Sequence, residues 1–82
     1  MTNEKLLTKN NIGVYEFFSD KPQPKNYYDI ILGEWRDTVK IENYETALKL
    51  DEEIKNSFEG KTKEYAIEHL QEVLNKFSLS LN

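Results

Sequence analysis

The 82-residue chain contains no cysteine, and His69 is its only histidine. Zinc sites built from cysteine and histidine, thiol chemistry and a disulfide framework are therefore excluded. The absence of cysteine fits a reducing compartment, so we expect a cytoplasmic protein. Because a domain of this size buries less of its surface than a larger one does, a homodimer is one way to add buried area.

Long apolar runs and glycine-rich loops are also missing. No stretch approaches the roughly 18 apolar residues of a membrane-spanning helix, and we expect neither a membrane partner nor a secretion signal. The three glycines are isolated from one another, so no phosphate-binding loop is present. His69 has no cysteine near it and no serine nucleophile arrangement. We therefore expect a protein that is not an enzyme and that binds no metal or cofactor.

Positive charge is scarce in the second half of the chain. Residues 1–40 carry six basic and six acidic side chains, whereas residues 41–82 carry five lysines and nine carboxylates, and the formal net charge is −4. This distribution disfavours a simple phosphate-binding surface and permits a basic partner. Arg36 is the only arginine, and lysine, asparagine and isoleucine are plentiful. Such usage is typical of AT-rich genomes, so we expect a bacterial or phage source.

The pattern of apolar residues predicts two helices after residue 43. The first runs over about 44–59, between an Asn43 cap and a Gly60 stop. The second runs from Lys63 to about Phe77, after a Thr62 cap. Apolar residues recur at steps of three and four in both segments. They are Ala47, Leu50, Ile54 and Phe58 in the first helix, and Ala66, Leu70, Val73, Leu74 and Phe77 in the second. The short link between the helices predicts an antiparallel pair.

A β-hairpin is predicted upstream, with strands at 27–32 and 35–42. Gly33-Glu34 between them suits a type II′ turn, which takes glycine at its first central position. Alternation places Tyr28, Ile30 and Leu32 on one face of the first strand.

The first twenty residues leave two alternatives open. One is a strand at 13–18 that follows a short helical turn or an extended arm at about 3–9. The other is a helix from Lys9 to about Ser19, which Gly13 and the pair Asn10-Asn11 disfavour. Residues 20–26 contain both prolines and are predicted to form a loop.

Together these elements predict one α+β domain over residues 1–82. We expect a small three-stranded antiparallel sheet with two C-terminal antiparallel helices packed on one face. The N-terminal arm would occupy 1–12, the sheet 13–42, the helical hairpin 43–78 and a tail 79–82. The tail alternates apolar and polar residues, which is compatible with a frayed end or with an extended segment on the core.

Carboxylates mark the first candidate binding surface. Glu64, Glu68 and Glu72 recur every four residues and form a ridge along the second helix. Only Glu72 has a lysine four residues later, Lys76. Asp51 and Glu52 on the first helix extend the acidic set. These carboxylates predict a surface that docks a basic groove on another protein. The alternative interpretation is an ordinary solvated helix face.

Aromatic residues mark the second candidate surface, on the opposite face of the sheet. Tyr27 and Ile31 share a strand face that points away from the helices, and Tyr15 or Phe17 can extend it. An exposed apolar patch of this kind indicates a partner or homodimer interface. Shielding of this face by the N-terminal arm is the alternative.

The outward face of the second hairpin strand is a candidate nucleic-acid site. With the preceding loop it supplies Lys25, Arg36, Thr38 and Lys40, which is a small basic footprint. A three-stranded sheet followed by a helix is similar in plan to some small DNA-binding domains of mobile-element recombinases. A nucleic-acid-binding regulator is therefore an alternative function.

The size, acidity and predicted element order are similar to those of small phage-encoded inhibitor proteins. These include some anti-CRISPR proteins, which occupy nucleic-acid sites on their targets. The similarity is one of architecture and carries no functional residue over. It implies a non-enzymatic protein-interaction or inhibitor protein encoded by a phage or mobile element. A homo-oligomeric structural or assembly protein is a further alternative.

Overall fold

The structure, a computed structural model, describes residues 6–16 and 26–81. Three strands precede two helices, as the sequence predicts. The strands are β1 (Ile12–Tyr15), β2 (Tyr27–Leu32) and β3 (Trp35–Lys40), and the helices are α1 (Tyr44–Phe58) and α2 (Lys63–Asn75). The predicted α+β class with a three-stranded antiparallel sheet is confirmed.

The sheet has the order β1-β2-β3, with β2 in the centre. Leu32 lies opposite Trp35, so the β2–β3 turn contains only Gly33 and Glu34. Gly33 has a φ of 68°, whereas Glu34 is not among the residues with positive φ. A positive φ at the first central position alone is the signature of a type II′ turn, which confirms the turn predicted from the sequence.

The first described residues follow the predicted strand alternative, with a start one residue earlier. β1 begins at Ile12, which is fully buried opposite Leu32, and is four residues long. Residues 12–15 form a strand, so the alternative helix from Lys9 to about Ser19 is wrong over these residues. The predicted strand residues 17–18 lie outside the described residues. The arm is extended at Leu7, whose N–H donates to the Lys61 carbonyl while its own carbonyl accepts from Gly60 N–H, both at 2.8 Å. The segment 3–5 also lies outside the described residues.

Both helices begin at the caps that the sequence predicts. The Asn43 side chain accepts from the N–H of Glu45, and the Thr62 hydroxyl accepts from the N–H of Tyr65. These contacts satisfy N–H groups that have no partner inside the helix. α2 ends at Asn75, two residues before the predicted end. The tail is extended, because Leu81 forms an isolated bridge with Val39 on β3.

The core lies between one face of the sheet and the two helices. Tyr28, Ile30 and Leu32 of β2 are buried there, as alternation predicts. The helix residues that join them are Ala47, Leu50, Ile54, Phe58, Ala66, Leu70, Val73 and Leu74. α1 packs along the edge strand β1, and α2 packs on α1 and the central strand. Neither described helix has the length and hydropathy that crossing a bilayer requires.

Candidate protein-binding site

The acidic ridge of Glu64, Glu68 and Glu72 runs along the solvent side of α2. All three residues are exposed, and the buried residues of α2 occupy the opposite side. Each step of four residues advances about 6 Å along a helix, so the carboxylates form a regular row. Among the ion pairs that join described residues, none includes a ridge carboxylate. Within the described residues, the charge of this row is therefore not neutralised by an ion pair.

Lys76, the lysine that sequence spacing assigned to Glu72, instead contacts α1. Its Nζ lies 3.0 Å from Oε2 of Glu53. The hydrogen bond from Lys76 holds the pKa of the Glu53 carboxyl below its ordinary value, and the Lys76 charge and the Ser57 hydroxyl act in the same direction against partial burial. The ion pair joins the two helices and leaves Glu72 free of its expected cation in the described structure.

Asp51 has a structural position rather than an open one. Its Oδ1 accepts a hydrogen bond from the backbone N–H of Val14 at 2.8 Å, and its Oδ2 lies 2.9 Å from Nζ of Lys55. Asp51 therefore caps the outer edge of β1, where an N–H would otherwise lack a strand partner. Gly13 makes this approach possible, because a Cβ at its φ of 143° would collide with the Asp51 carboxylate.

The acidic residues named from the sequence do not form one surface. Asp51 faces β1, whereas Glu53, two residues later, faces α2 through Lys76. The ridge and Asp51 therefore lie on opposite sides of α1. Glu52 beside Asp51 is exposed and belongs to the same outer part of α1.

The aromatic sheet face is more enclosed than its pattern suggests. Ile31 is only 5% exposed and Tyr27 is half-buried. The expectation of an exposed apolar patch at Ile31 is wrong, because Ile31 is buried, although it lies on the sheet face away from the core, between Gly13 of β1 and Arg36 of β3. Asp29 is buried on the same face, where its Oδ1 accepts from the Thr38 hydroxyl at 3.4 Å. Phe17 lies outside the described residues.

The basic residues of the nucleic-acid hypothesis are partly brought together. Arg36, Thr38 and Lys40 alternate along β3 and share its face away from the core. Arg36 and Lys40 are exposed, and Thr38 is half-buried beside Asp29. Lys25 lies outside the described residues.

A cleft between the end of β1 and α1 was not predicted. It has a volume of about 260 Å³, and three tyrosines line it together with Glu16 and the Asp51–Lys55 pair. The tyrosines are Tyr15, Tyr28 and Tyr44. One pattern in the sequence indicates this cleft. Tyr44 and Leu48 are apolar, lie four residues apart and fall outside the buried stripe of α1. They are 60% and 53% exposed in the structure.

His69 has a local structural role beside the ridge. Its Nδ1 lies 2.9 Å from the carbonyl oxygen of Tyr65, and its ring stacks on the Tyr65 ring at 4.1 Å between centroids. A carbonyl only accepts, so Nδ1 carries a proton and donates. Within residues 6–16 and 26–81, no three His, Asp or Glu side chains are grouped closely enough to hold a metal ion.

Comparisons of the chain with protein-family models, with curated proteins and with solved structures find no match.

Proposed function

We propose that this protein is a non-enzymatic interaction domain that docks a basic surface of another protein through the acidic ridge of α2. The observation that carries the proposal is the row of three exposed carboxylates, none of which is ion-paired with a described residue. A partner groove that normally holds nucleic acid offers the complementary charge. Occupation of such a groove would make the protein an inhibitor, acting in the cytoplasm.

Electrostatic reasoning supports the ridge over the other acidic residues. Asp51 and Glu53 have lysine partners at 2.9 and 3.0 Å, and these contacts already use their charge. A partner would have to break those contacts, whereas the ridge offers its charge at no such cost. Exposed charges of one sign act mainly by steering a partner to the surface, and salt screens this effect.

The test reverses the ridge and measures affinity for the partner. The partner is recovered from the native host by crosslinking to the wild-type protein, purified and titrated by calorimetry at low and high salt. The triple variant Glu64→Lys, Glu68→Lys and Glu72→Lys moves the formal charge from −4 to +2. We expect affinity to fall by roughly 100-fold or more, because like charges then face each other.

A matched control separates the ridge from overall charge. Glu34, Glu42 and Glu59 are exposed and lie off α2, and their replacement by lysine also gives a formal charge of +2. We expect this control to bind nearly as the wild type does, and circular dichroism to show both variants folded. An equal loss in the two triple variants, or no loss in the ridge variant, would contradict the ridge as the docking surface.

Nucleic acid remains the second candidate ligand because Arg36 and Lys40 are exposed on one face of β3. For the same ridge variant, this function predicts a gain in affinity for its ligand rather than a loss. Removing three carboxylates would strengthen binding to labelled duplex DNA, and Arg36→Gln with Lys40→Gln would abolish that binding and flatten its salt dependence. Weaker protein binding without any gain in DNA binding favours the protein partner.

A further inference from the structure

We propose that the cleft between the end of β1 and α1 receives an arginine side chain presented by a partner protein. This inference rests on the proposed function in one respect, namely that the partner is a basic protein. The cleft is a second contact, separate from the ridge, because it lies on the β1 side of α1.

The cleft has the size and walls of a receptor for one side chain. Its volume of about 260 Å³ is below the roughly 300–1,000 Å³ of pockets for drug-sized ligands. Tyr28 is 8% exposed and belongs to the core, so it is a fixed part of the lining, whereas Tyr44 is 60% exposed. Val14 and Ala47 add apolar surface that suits the methylene groups of a long side chain.

Glu16 supplies the charge that selects a cation. It follows Tyr15, which lies opposite Asp29, so it emerges beside Tyr28 at the end of the sheet. Burial raises the pKa of the Tyr28 hydroxyl, and the charges of Glu16 and Tyr44 raise it further, which agrees with their closeness. Glu16 is exposed, and no ion pair between described residues includes it.

Lys55 does not reverse this selection, because Asp51 already neutralises it. Their contact of 2.9 Å includes a hydrogen bond that is the main cause of the raised pKa of Lys55, so Lys55 stays protonated and paired. The cleft therefore holds one cation and two carboxylates, which leaves one net negative charge for a ligand. Tyrosine rings attract cations by their π faces, and this adds to the same preference.

A guanidinium fits these walls better than an ammonium does. It is planar and stacks on aromatic rings, and it pairs with a carboxylate through two parallel hydrogen bonds. Tyr44 provides an exposed ring and Glu16 an exposed carboxylate at the same cleft. A lysine ammonium would keep the attraction to the carboxylate and to the ring faces, but not the planar stacking or the two parallel hydrogen bonds.

The test is a nuclear magnetic resonance titration with a short capped peptide that contains one arginine. The matched peptide contains citrulline, which has a similar shape and no charge. We expect the arginine peptide to shift the ring signals of Tyr44 and Tyr15 saturably, and the citrulline peptide to leave them in place. Equal shifts with both peptides would overturn the proposal, because charge would then have no part in binding.

Two variants of exposed residues assign the binding groups without unfolding the domain. Glu16→Gln should weaken peptide binding by about tenfold through loss of the charge-assisted pair. Tyr44→Leu should weaken it severalfold, since it keeps an apolar side chain and removes the ring. Glu52→Gln is the control for lost charge nearby and should have no effect.

The ridge variant distinguishes failure of this site from failure of the proposed function. With Glu64, Glu68 and Glu72 all changed to lysine, the arginine peptide should still shift Tyr44 with nearly unchanged affinity. If the peptide instead shifts only ridge signals in the wild type, the cleft proposal is wrong and the ridge keeps its support. If Tyr44 shifts but the ridge variant still binds the purified protein partner, the cleft stands and the ridge fails.

Discussion

The two helices differ in what their carboxylates contact. On α1, Asp51 accepts from Val14 N–H and contacts Lys55, and Glu53 contacts Lys76. On α2, Glu64, Glu68 and Glu72 are exposed and enter no ion pair with a described residue. Asp51 and Glu53 of α1 therefore help to hold the fold together, whereas the ridge carboxylates of α2 contribute charge to the surface.

Carboxylates of the same kind therefore have different roles, and the role depends on what their side of the helix packs against. α1 lies along the edge strand β1, so a carboxylate on that side meets a backbone N–H that needs an acceptor. The ridge side of α2 meets no other described element, so nothing in the fold requires its charge. A structural role predicts a stability cost on mutation, and a surface role predicts a cost in binding alone.

The largest expected effect is the loss of stability when a buried residue of α2 is replaced, compared with an exposed residue of the same helix. Leu70 is 1% exposed, so Leu70→Ala should lower the free energy of unfolding by about 2–5 kcal/mol through lost burial and a cavity. Glu68→Ala on the ridge should change it by less than about 0.5 kcal/mol. Urea denaturation measures both. A Leu70→Ala cost below about 1 kcal/mol would contradict the assignment of the helix faces.

A middle-sized effect separates the two carboxylate roles on α1. Asp51→Ala leaves the Val14 N–H without its acceptor and Lys55 without its partner, so we expect a loss of about 1–3 kcal/mol. Asp51→Asn keeps an acceptor oxygen and loses only the charge, so it should cost less. Glu52→Ala, at an exposed neighbour, is the control and should change stability by less than about 0.5 kcal/mol. Equal urea midpoints for Asp51→Ala and Glu52→Ala would remove the structural role assigned to Asp51.

The sequence predicted most of the fold because its local signals agree with one another. Asn43 and Thr62 are caps, the apolar stripes have helical spacing, and Gly33 has the conformation that its turn requires. These signals depend on residues a few positions apart. The start of β1 was predicted one residue late, at Gly13 rather than Ile12, because a short strand has little alternation and Asn11 and Gly13 on either side of Ile12 resemble loop residues.

The candidate sites were less predictable because they depend on contacts between distant residues. Helical spacing was sufficient to place Glu64, Glu68 and Glu72 together. The contact of Asp51 with Val14 spans 37 positions, and no local pattern indicates it. Strand alternation places Ile31 on the face away from the helices but does not indicate that this position is buried, and the cleft at Tyr44 requires β1 and α1 to meet.

The smallest expected effect concerns pH and the Glu53–Lys76 pair between the helices. The pKa of Glu53 is lowered in the folded state from its ordinary value of 4.5, chiefly by the hydrogen bond from Lys76. A lowered carboxyl pKa stabilises the fold above the ordinary value, and this contribution is lost as pH falls through the lowered pKa. Because the Lys76 side chain is 61% exposed, solvent screens the pair and the contribution is about 0.3–1 kcal/mol.

Glu53→Gln removes this titration and is compared with Glu68→Gln, which removes an exposed ridge carboxylate. At neutral pH, Glu53→Gln should be slightly less stable than the wild type, and the difference should shrink as pH falls below the ordinary carboxyl pKa. Glu68→Gln is the control for loss of an exposed carboxylate, because no lysine contacts Glu68 among the described ion pairs. Urea midpoints across the acidic range measure both curves. If the difference in urea midpoint between Glu53→Gln and the wild type stays constant across the acidic range, the pair does not couple protonation to folding. The distinction between engaged carboxylates on α1 and open ones on α2 would then rest on Asp51 alone.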